Sequence, residues 1–227
     1  MLFFIICTLL KKYSNKSWMR KIFAKGEVVK ISIQNIFINF FLLYSIVSIG
    51  QNSELNYKVV RNGNNIGWLR LEKNVKGNKS DLQLISEVKT KLVFPIKISA
   101  KESSTFENGK LIQSSQIRKT NGTTKLNKQT KFVTDAYEVS ENGEKKRLSI
   151  PYIETNLLSL FFKEPTNLKP VYSDKQQRFI RITKTDDGGY KTSFEKGCSN
   201  SYYYKDGICV KVKIEHSFYT AEIVMNY

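Results

Sequence analysis

Between residues 62 and 207 the chain repeats a dipeptide that favours tight hairpin turns. Isolated Asn-Gly or Asp-Gly pairs occur five times, as Asn62-Gly63, Asn108-Gly109, Asn121-Gly122, Asn142-Gly143 and Asp206-Gly207. Gly77-Asn78 and Asp187-Gly188-Gly189 have the same chemistry. A type I′ turn needs positive φ at both central residues, which Asn, Asp and Gly tolerate better than other residues. The sequence therefore predicts a succession of antiparallel β-hairpins.

Alternating apolar and polar residues fill the intervals between these turns. Leu55, Tyr57 and Val59 share one face of the first predicted strand, and the alternation continues almost to the end of the chain. The later predicted strands are residues 110–119, 123–132, 136–139, 147–150, 178–184, 190–194, 201–205, 208–216 and 218–225. Because about ten to twelve strands cannot form one flat sheet, we predict a mainly all-β fold with a curved antiparallel sheet or half-barrel.

One segment, residues 155–162, departs from this alternation. Leu157, Leu158, Phe161 and Phe162 have helical spacing, Thr155 or Asn156 can cap the helix, and Pro165 follows. We expect one short helix packed in the concave face of the sheet. Since so short a helix covers only part of that face, either the sheet closes or inner surface is left as a pocket.

The leader has the layout of a secretory signal. Residues 36–49 are mostly apolar, basic residues precede them, and Ser48 and Gly50 are small residues before Gln51. We predict cleavage near Gly50-Gln51, translation from Met19, and one β domain over residues 51–227. An uncleaved anchor and a buried segment are the alternatives. Cleavage would place the protein in the periplasm or cell envelope of a bacterium.

The chain is basic, with a formal net charge of +17. Lys outnumbers Arg by 30 to 7, whereas nucleic-acid binding favours the planar fork of Arg. We therefore predict no nucleic-acid partner, and peripheral contact with an anionic envelope surface as one use of the charge.

Two cysteines, Cys198 and Cys209, follow the leader. An even count in an exported protein invites a disulfide. A two-residue turn at Asp206-Gly207 instead pairs Tyr204 with Cys209, and Cys198 then lies about 20 Å further along its strand. Both alternatives stay open at the level of sequence.

No group of residues in the sequence has the spacing of a catalytic, cofactor or metal site. His216 is the one histidine, and its place on an apolar face suggests a core or rim position. The carboxylates, Glu102 among them, sit among polar neighbours and are expected on solvated outer faces. Lys125, Lys128 and Lys131 are expected on a solvated edge strand. We predict no catalytic residues, no cofactor and no metal.

Several short motifs are spread over roughly residues 55–225. They are Tyr57-x-Val59, Gly63-x-x-Ile66-Gly67, Phe106-x-x-Gly109-Lys110-Leu111, Leu157-Leu158-Ser159-Leu160-Phe161 and a Tyr-rich C-terminal hairpin. In these features the chain resembles a family of secreted bacterial β-rich proteins of unknown function. The layout is distantly similar to the half-barrel carriers that sort lipoproteins in the periplasm. This resemblance implies a half-barrel fold and raises the expectation of an apolar ligand.

These observations predict a non-catalytic envelope protein that binds a lipid or acyl chain between sheet and helix. The expected ligand-binding residues are Leu157, Leu158, Phe161, Phe162, Trp68, Tyr202 and Tyr204. The first alternative is a structural or protein-interaction module with a filled core and an envelope protein partner. The second alternative is a hydrolase of unknown substrate.

Overall fold

The computed structural model describes residues 52–91, 95–217 and 219–226. The predicted signal peptide, its anchor alternative and the predicted start at Met19 lie outside these residues. The described residues belong to one compact unit, Gly50–Tyr227. Among them, no helix combines the length and apolar character needed to cross a membrane.

The described chain is built from β-strands joined by tight turns and two short 3₁₀ helices. The strands are β1 (Asn52–Arg61), β2 (Asn64–Lys76), β3 (Lys79–Lys91), β4 (Pro95–Glu107), β5 (Lys110–Thr120), β6 (Thr123–Val133), β7 (Ala136–Glu141), β8 (Glu144–Leu148), β9 (Val171–Ser173), β10 (Arg178–Ile180), β11 (Ile182–Lys184), β12 (Tyr190–Ser193), β13 (Ser199–Lys205), β14 (Ile208–His216) and β15 (Tyr219–Met225). The 3₁₀ helices are Leu157–Phe161 and Glu195–Gly197.

Thirteen strands form one antiparallel sheet in the order β11-β12-β13-β14-β15-β1-β2-β3-β4-β5-β6-β7-β8. The first strand pairs with the last, so both ends of the domain lie in the middle of the sheet. The sheet is curved but not closed. This confirms the predicted fold class, with slightly more strands than expected. Strands β9 and β10 form a separate two-stranded sheet.

The hairpin turns lie where the Asn-Gly and Asp-Gly pairs predicted them. Asn62 and Gly63 have φ angles of 49° and 77°, as a type I′ turn requires. At the Asp206-Gly207 turn, Tyr204 pairs with Cys209 and Lys205 with Ile208. These turns set the register and thereby decide which residues face inward.

The predicted helix is a 3₁₀ helix of five residues, Leu157–Phe161. Asn156 is its N-cap and forms a reciprocal capping box with Ser159, through Ser159 N to Asn156 Oδ1 at 3.2 Å and Asn156 N to Ser159 Oγ at 3.1 Å. The helix ends early because Phe162 N bonds to Ser159 O and Pro165 soon follows, without an amide hydrogen to donate.

The interior between this helix and the sheet is filled with aromatic and aliphatic side chains. The ring of Phe161 lies 5.6 Å from Tyr57 of β1 and 6.2 Å from Tyr202 of β13, in edge-to-face contacts. Leu158 and Leu160 are also buried. The helix therefore packs on the concave face of the sheet and contacts strands β1 and β13.

Two details of the predicted structure need correction. Residues 178–184 are two strands, not one, because β10 pairs with β9 whereas β11 pairs with β12, with exposed Arg181 between them. The candidate disulfide is absent, since Cys198 and Cys209 are both free. The physical reason is register: Cys209 pairs with Tyr204 of β13, and Tyr204 is six residues along the chain from Cys198, which directly precedes that strand.

Candidate ligand-binding site

A cleft of about 980 Å³ lies between the chain segment 151–170 and the sheet. The sheet contributes Leu82 of β3 and Phe106 of β4, and the helical segment contributes Leu160 and Phe162. Further apolar wall residues are Pro151, Tyr152, Pro165, Pro170, Phe179 and Ile182. A largely apolar cleft of this size is typical of small-molecule sites in proteins.

Backbone hydrogen bonds fix the first part of segment 151–170 against the sheet. Leu111 N donates to Ile153 O at 2.8 Å. The hydroxyl of Tyr137 accepts from Ile153 N at 3.1 Å and donates to Leu111 O at 3.0 Å. Because Ile153 and Tyr137 are fully buried, these bonds leave no orphaned polar group and hold this wall of the cleft in place.

The rest of the segment is held by a buried polar cluster around Asp174. This carboxylate accepts hydrogen bonds from Ser114 of β5 and from Asn156 Nδ2, the latter at 3.1 Å. Asn156 Nδ2 also donates to Ser104 Oγ of β4 at 2.7 Å. Burial raises the pKa of Asp174, and these hydrogen bonds oppose the rise.

Two further hydroxyl groups next to this cluster are buried without a well-formed hydrogen bond. They belong to Thr130 of β6 and Tyr172 of β9. Burial is the main cause that raises the pKa of Tyr172, and the neighbouring Asp174 charge adds to it. Tyr172 is therefore a neutral, structural phenol at physiological pH.

A second inward row of polar residues runs across β4 to β7. Register aligns Glu102, Gln116, Lys128 and Glu141. Lys128 Nζ lies 2.9 Å from Glu141 Oε2 and donates to the carbonyl of Lys175 at 3.0 Å. Burial raises the pKa of Glu102, and the hydrogen bond from Gln116 at 3.1 Å opposes this.

The positions of Lys128 and Glu102 correct two sequence-based expectations. Lys128 is 4% exposed and lies on an inner strand, not on a solvated edge, because β6 pairs with both β5 and β7. Glu102 points inward and is partly buried, not on a solvated outer face. Together with the Asp174 cluster, these groups form a polar floor beside the apolar core.

Six charged side chains line the cleft, four of them basic. Lys169 pairs with Glu154 at 3.1 Å, and Glu164 accepts a hydrogen bond from the Tyr190 hydroxyl at 2.7 Å. The other three are Lys73, Lys110 and Lys163. In the described part of the chain, none of these three has a carboxylate within ion-pair distance; Lys110 lies over the Tyr152 ring, 3.7 Å from its centre.

The seven residues expected to bind ligand lie in three different environments. Phe162 lines the cleft. Leu157, Leu158, Phe161, Tyr202 and Tyr204 belong to the packed interior, where the Tyr204 hydroxyl donates to Leu160 O at 2.8 Å. Trp68 points to the outer face of the sheet and is 47% exposed. The structure therefore brings only Phe162 to the cleft.

The cleft residues that sequence reasoning missed come mostly from the loops around the helix. Pro151, Pro165 and Pro170 bracket that segment and could have indicated that it has a fixed shape. The sequence also contained an indication of the buried polar cluster. Small hydroxyl residues, Ser104, Ser114 and Thr130, stand at inward positions of three successive strands where aliphatic residues are expected. Within the described ranges, no group of three or more His, Cys, Asp or Glu side chains is placed to hold a metal ion.

Comparison with known proteins identifies a family but no individual relative. No curated protein and no solved structure matches the chain. A family described as "Domain of unknown function (DUF6134)" matches residues 57–226, which include almost the whole sheet and the cleft. The match covers more than half of the chain, and the protein belongs to this family of uncharacterised domains.

Proposed function

We propose that this protein is a non-catalytic, exported envelope protein that binds an apolar ligand, such as a lipid or acyl chain, in the cleft beside the 3₁₀ helix. The observation that carries the proposal is the cleft itself, about 980 Å³ and walled by apolar side chains from both sheet and helix. A site of this kind gains binding free energy by removing apolar ligand surface from water.

The proposal moves the ligand from the position expected from sequence. The space directly between helix and sheet is occupied by Leu158, Phe161 and Tyr202. The ligand would instead lie on the other side of Leu160 and Phe162, against Leu82 and Phe106. Export is supported by the apolar segment before residue 51, and carriage of a lipid by the resemblance to periplasmic sorting carriers.

A protein-interaction module is the second candidate, and the filled interior favours it. Phe161 packs against Tyr57 and Tyr202 as a core residue does, with no space left for a ligand at that point. In that case the cleft would take an apolar segment of an envelope protein partner instead of a lipid.

The test is fluorescence titration of the purified full-length chain with phenylnaphthylamine, a neutral dye that brightens in apolar surroundings. Ser80 and Thr166 lie on opposite walls of the cleft. Ser80→Trp and Thr166→Trp each fill part of the cleft and should weaken dye binding at least about ten-fold. The matched control is Ser99→Trp, on the side of β4 opposite to inward-facing Glu102.

Two results separate the candidates. Saturable binding that both cleft variants lose and Ser99→Trp keeps supports the proposal. No saturable binding, or binding unaffected by both cleft variants while their circular dichroism stays that of the parent, overturns it.

A further inference from the structure

The lysines of the cleft lead to an inference about the ligand's polar end. We propose that the cleft binds a single-chain amphiphile with an anionic head group, whose negative charge is held by Lys73, Lys110 and Lys163. This inference rests on the proposed function, because it names the chemical class of ligand for the same cleft.

The first support is the imbalance of charge around an apolar wall. Of the two carboxylates of the cleft, Glu154 pairs with Lys169, and Glu164 accepts a hydrogen bond from the neutral Tyr190 hydroxyl. Four lysines against two carboxylates leave the cleft a surplus of two positive charges. Among the described residues, Lys73, Lys110 and Lys163 have no carboxylate at ion-pair distance. An apolar cleft bordered by three such ammonium groups suits a ligand that is apolar along its length and negative at one end.

The second support is the placement of Lys73. Leu69, Leu71 and Lys73 alternate along β2, so the side chain of Lys73 continues the inward apolar face. It pairs across the strands with Leu82, itself a wall residue, and it is partly buried. A half-buried lysine beside an apolar wall places its ammonium group at the border of that wall. The anionic head group would lie there when the acyl chain lies against the wall.

The other two lysines approach the cleft from separate elements. Lys110 begins β5 directly after the Asn108-Gly109 turn, and Lys163 follows the 3₁₀ helix. Both are exposed, both line the cleft, and each carries its charge on a flexible four-carbon stem. Three cations from two strands and a loop favour a compact carboxylate or phosphate over a neutral alcohol or ester.

The experiment compares palmitate with its methyl ester as competitors of phenylnaphthylamine on the full-length chain. These competitors share one chain and differ in charge. We expect palmitate to displace the dye at about ten-fold lower concentration than the ester, as one charge-assisted hydrogen bond would provide. In the variant Lys73→Gln/Lys110→Gln/Lys163→Gln this preference should fall to nearly equal displacement, each competitor being compared at that variant's own measured dye affinity.

A charge-matched variant keeps the test specific. Lys125→Gln/Lys145→Gln/Lys146→Gln removes the same charge from exposed positions on β6 and β8 and should keep the preference for palmitate. Equal displacement by acid and ester in the parent protein would overturn the head-group inference while dye binding upholds the proposed function. The inference also fails if the control variant loses the preference as fully as the cleft variant, because general surface charge would then be the cause. Absence of dye binding would instead overturn the proposed function itself.

Discussion

Asn156 and Asp174 are joined in the buried interior, where Asn156 Nδ2 donates to Asp174 Oδ2 at 3.1 Å. Asn156 is the N-cap of the 3₁₀ helix, and Asp174 follows β9. Because Asp174 also accepts from Ser114 of β5, one carboxylate links the start of the 3₁₀ helix to the sheet.

Asp174→Ala should destabilise the fold by about 3 kcal/mol, because it leaves buried Ser114 and Asn156 donors without their acceptor. Urea unfolding of parent and variant measures this loss. The control is Asp135→Ala, which removes an exposed ion pair with Arg147 and should cost less than about 1 kcal/mol. Equal losses for the two variants would show that Asp174 does not anchor the segment.

Glu102 should make the stability of the protein fall as the pH rises. Its pKa is raised by burial, so above about pH 4.3 the folded state still holds a proton that the unfolded chain has released. Glu102→Gln keeps the acceptor for Gln116 but has no charge to bury. The stability of this variant relative to the parent should therefore rise between about pH 4 and about pH 8 in urea unfolding.

Glu215→Gln provides a comparison of opposite sign. Lys213, Ser199 and Lys191 hold the pKa of Glu215 down to about 2. The stability that this carboxylate contributes is present above the unfolded pKa of about 4.3 and is lost as the pH falls toward the folded value. The Glu215→Gln variant should be less stable than the parent near neutral pH, and the difference should be smaller in acid.

For Glu102→Gln, a stability difference from the parent that does not change with pH would contradict the inward position of Glu102.

The hairpin registers were predictable from sequence because turn chemistry is local. Asp206-Gly207 fixed the pairing of Tyr204 with Cys209, and the structure confirms it. The polar floor was not predictable from sequence. The alternation of apolar and polar residues distinguishes the two faces of a strand, but it does not indicate which polar residues the helical segment will cover. Lys128 is buried only because Glu141 and the carbonyl of Lys175 meet it. Those partners lie on other strands and loops.

The position of the cleft escaped prediction for a related reason. Helical spacing indicated the apolar face of residues 157–162 but not that this face would fill the interior completely. The three-residue strand β9 follows Pro170 and has no turn dipeptide before it, so no local pattern marks it. Its partner β10 follows a turn with Gln177 at φ 55°, an unusual residue for that conformation.

Gly67→Ala should be among the costlier single-methyl changes in the sheet. A Cβ at Gly67 would lie 2.2 Å from the carbonyl oxygen of Glu87 and 2.8 Å from Val88 Cα, both backbone atoms of the neighbouring strand. We expect a loss of about 3 kcal/mol from this overpacking. Gly63→Ala has open space but φ of 77° and should cost about 1 kcal/mol. Thermal and urea unfolding measure both, and a smaller loss at Gly67 than at Gly63 would contradict the register of β2 and β3.

The two described cysteines should differ sharply in reactivity. Cys209 is fully buried, and burial raises the pKa of its thiol to about 12, whereas Cys198 is partly exposed. Iodoacetamide should therefore alkylate Cys198 in the folded protein and Cys209 only after unfolding in urea. Peptide mass mapping reads each site separately. A disulfide-linked peptide pair, or labelling of Cys209 at the rate of Cys198, would contradict the structure.

The most direct test of the binding proposal is native mass spectrometry of the protein, expressed from the full-length chain with export and purified without detergent. We predict that the parent protein carries an adduct of lipid mass, which organic extraction releases for identification. The Ser80→Trp and Thr166→Trp variants should lack this adduct, whereas Ser99→Trp should retain it. A parent protein without adduct, which also gains none after incubation with palmitate, would contradict the account and favour a cleft that takes a segment of a protein partner.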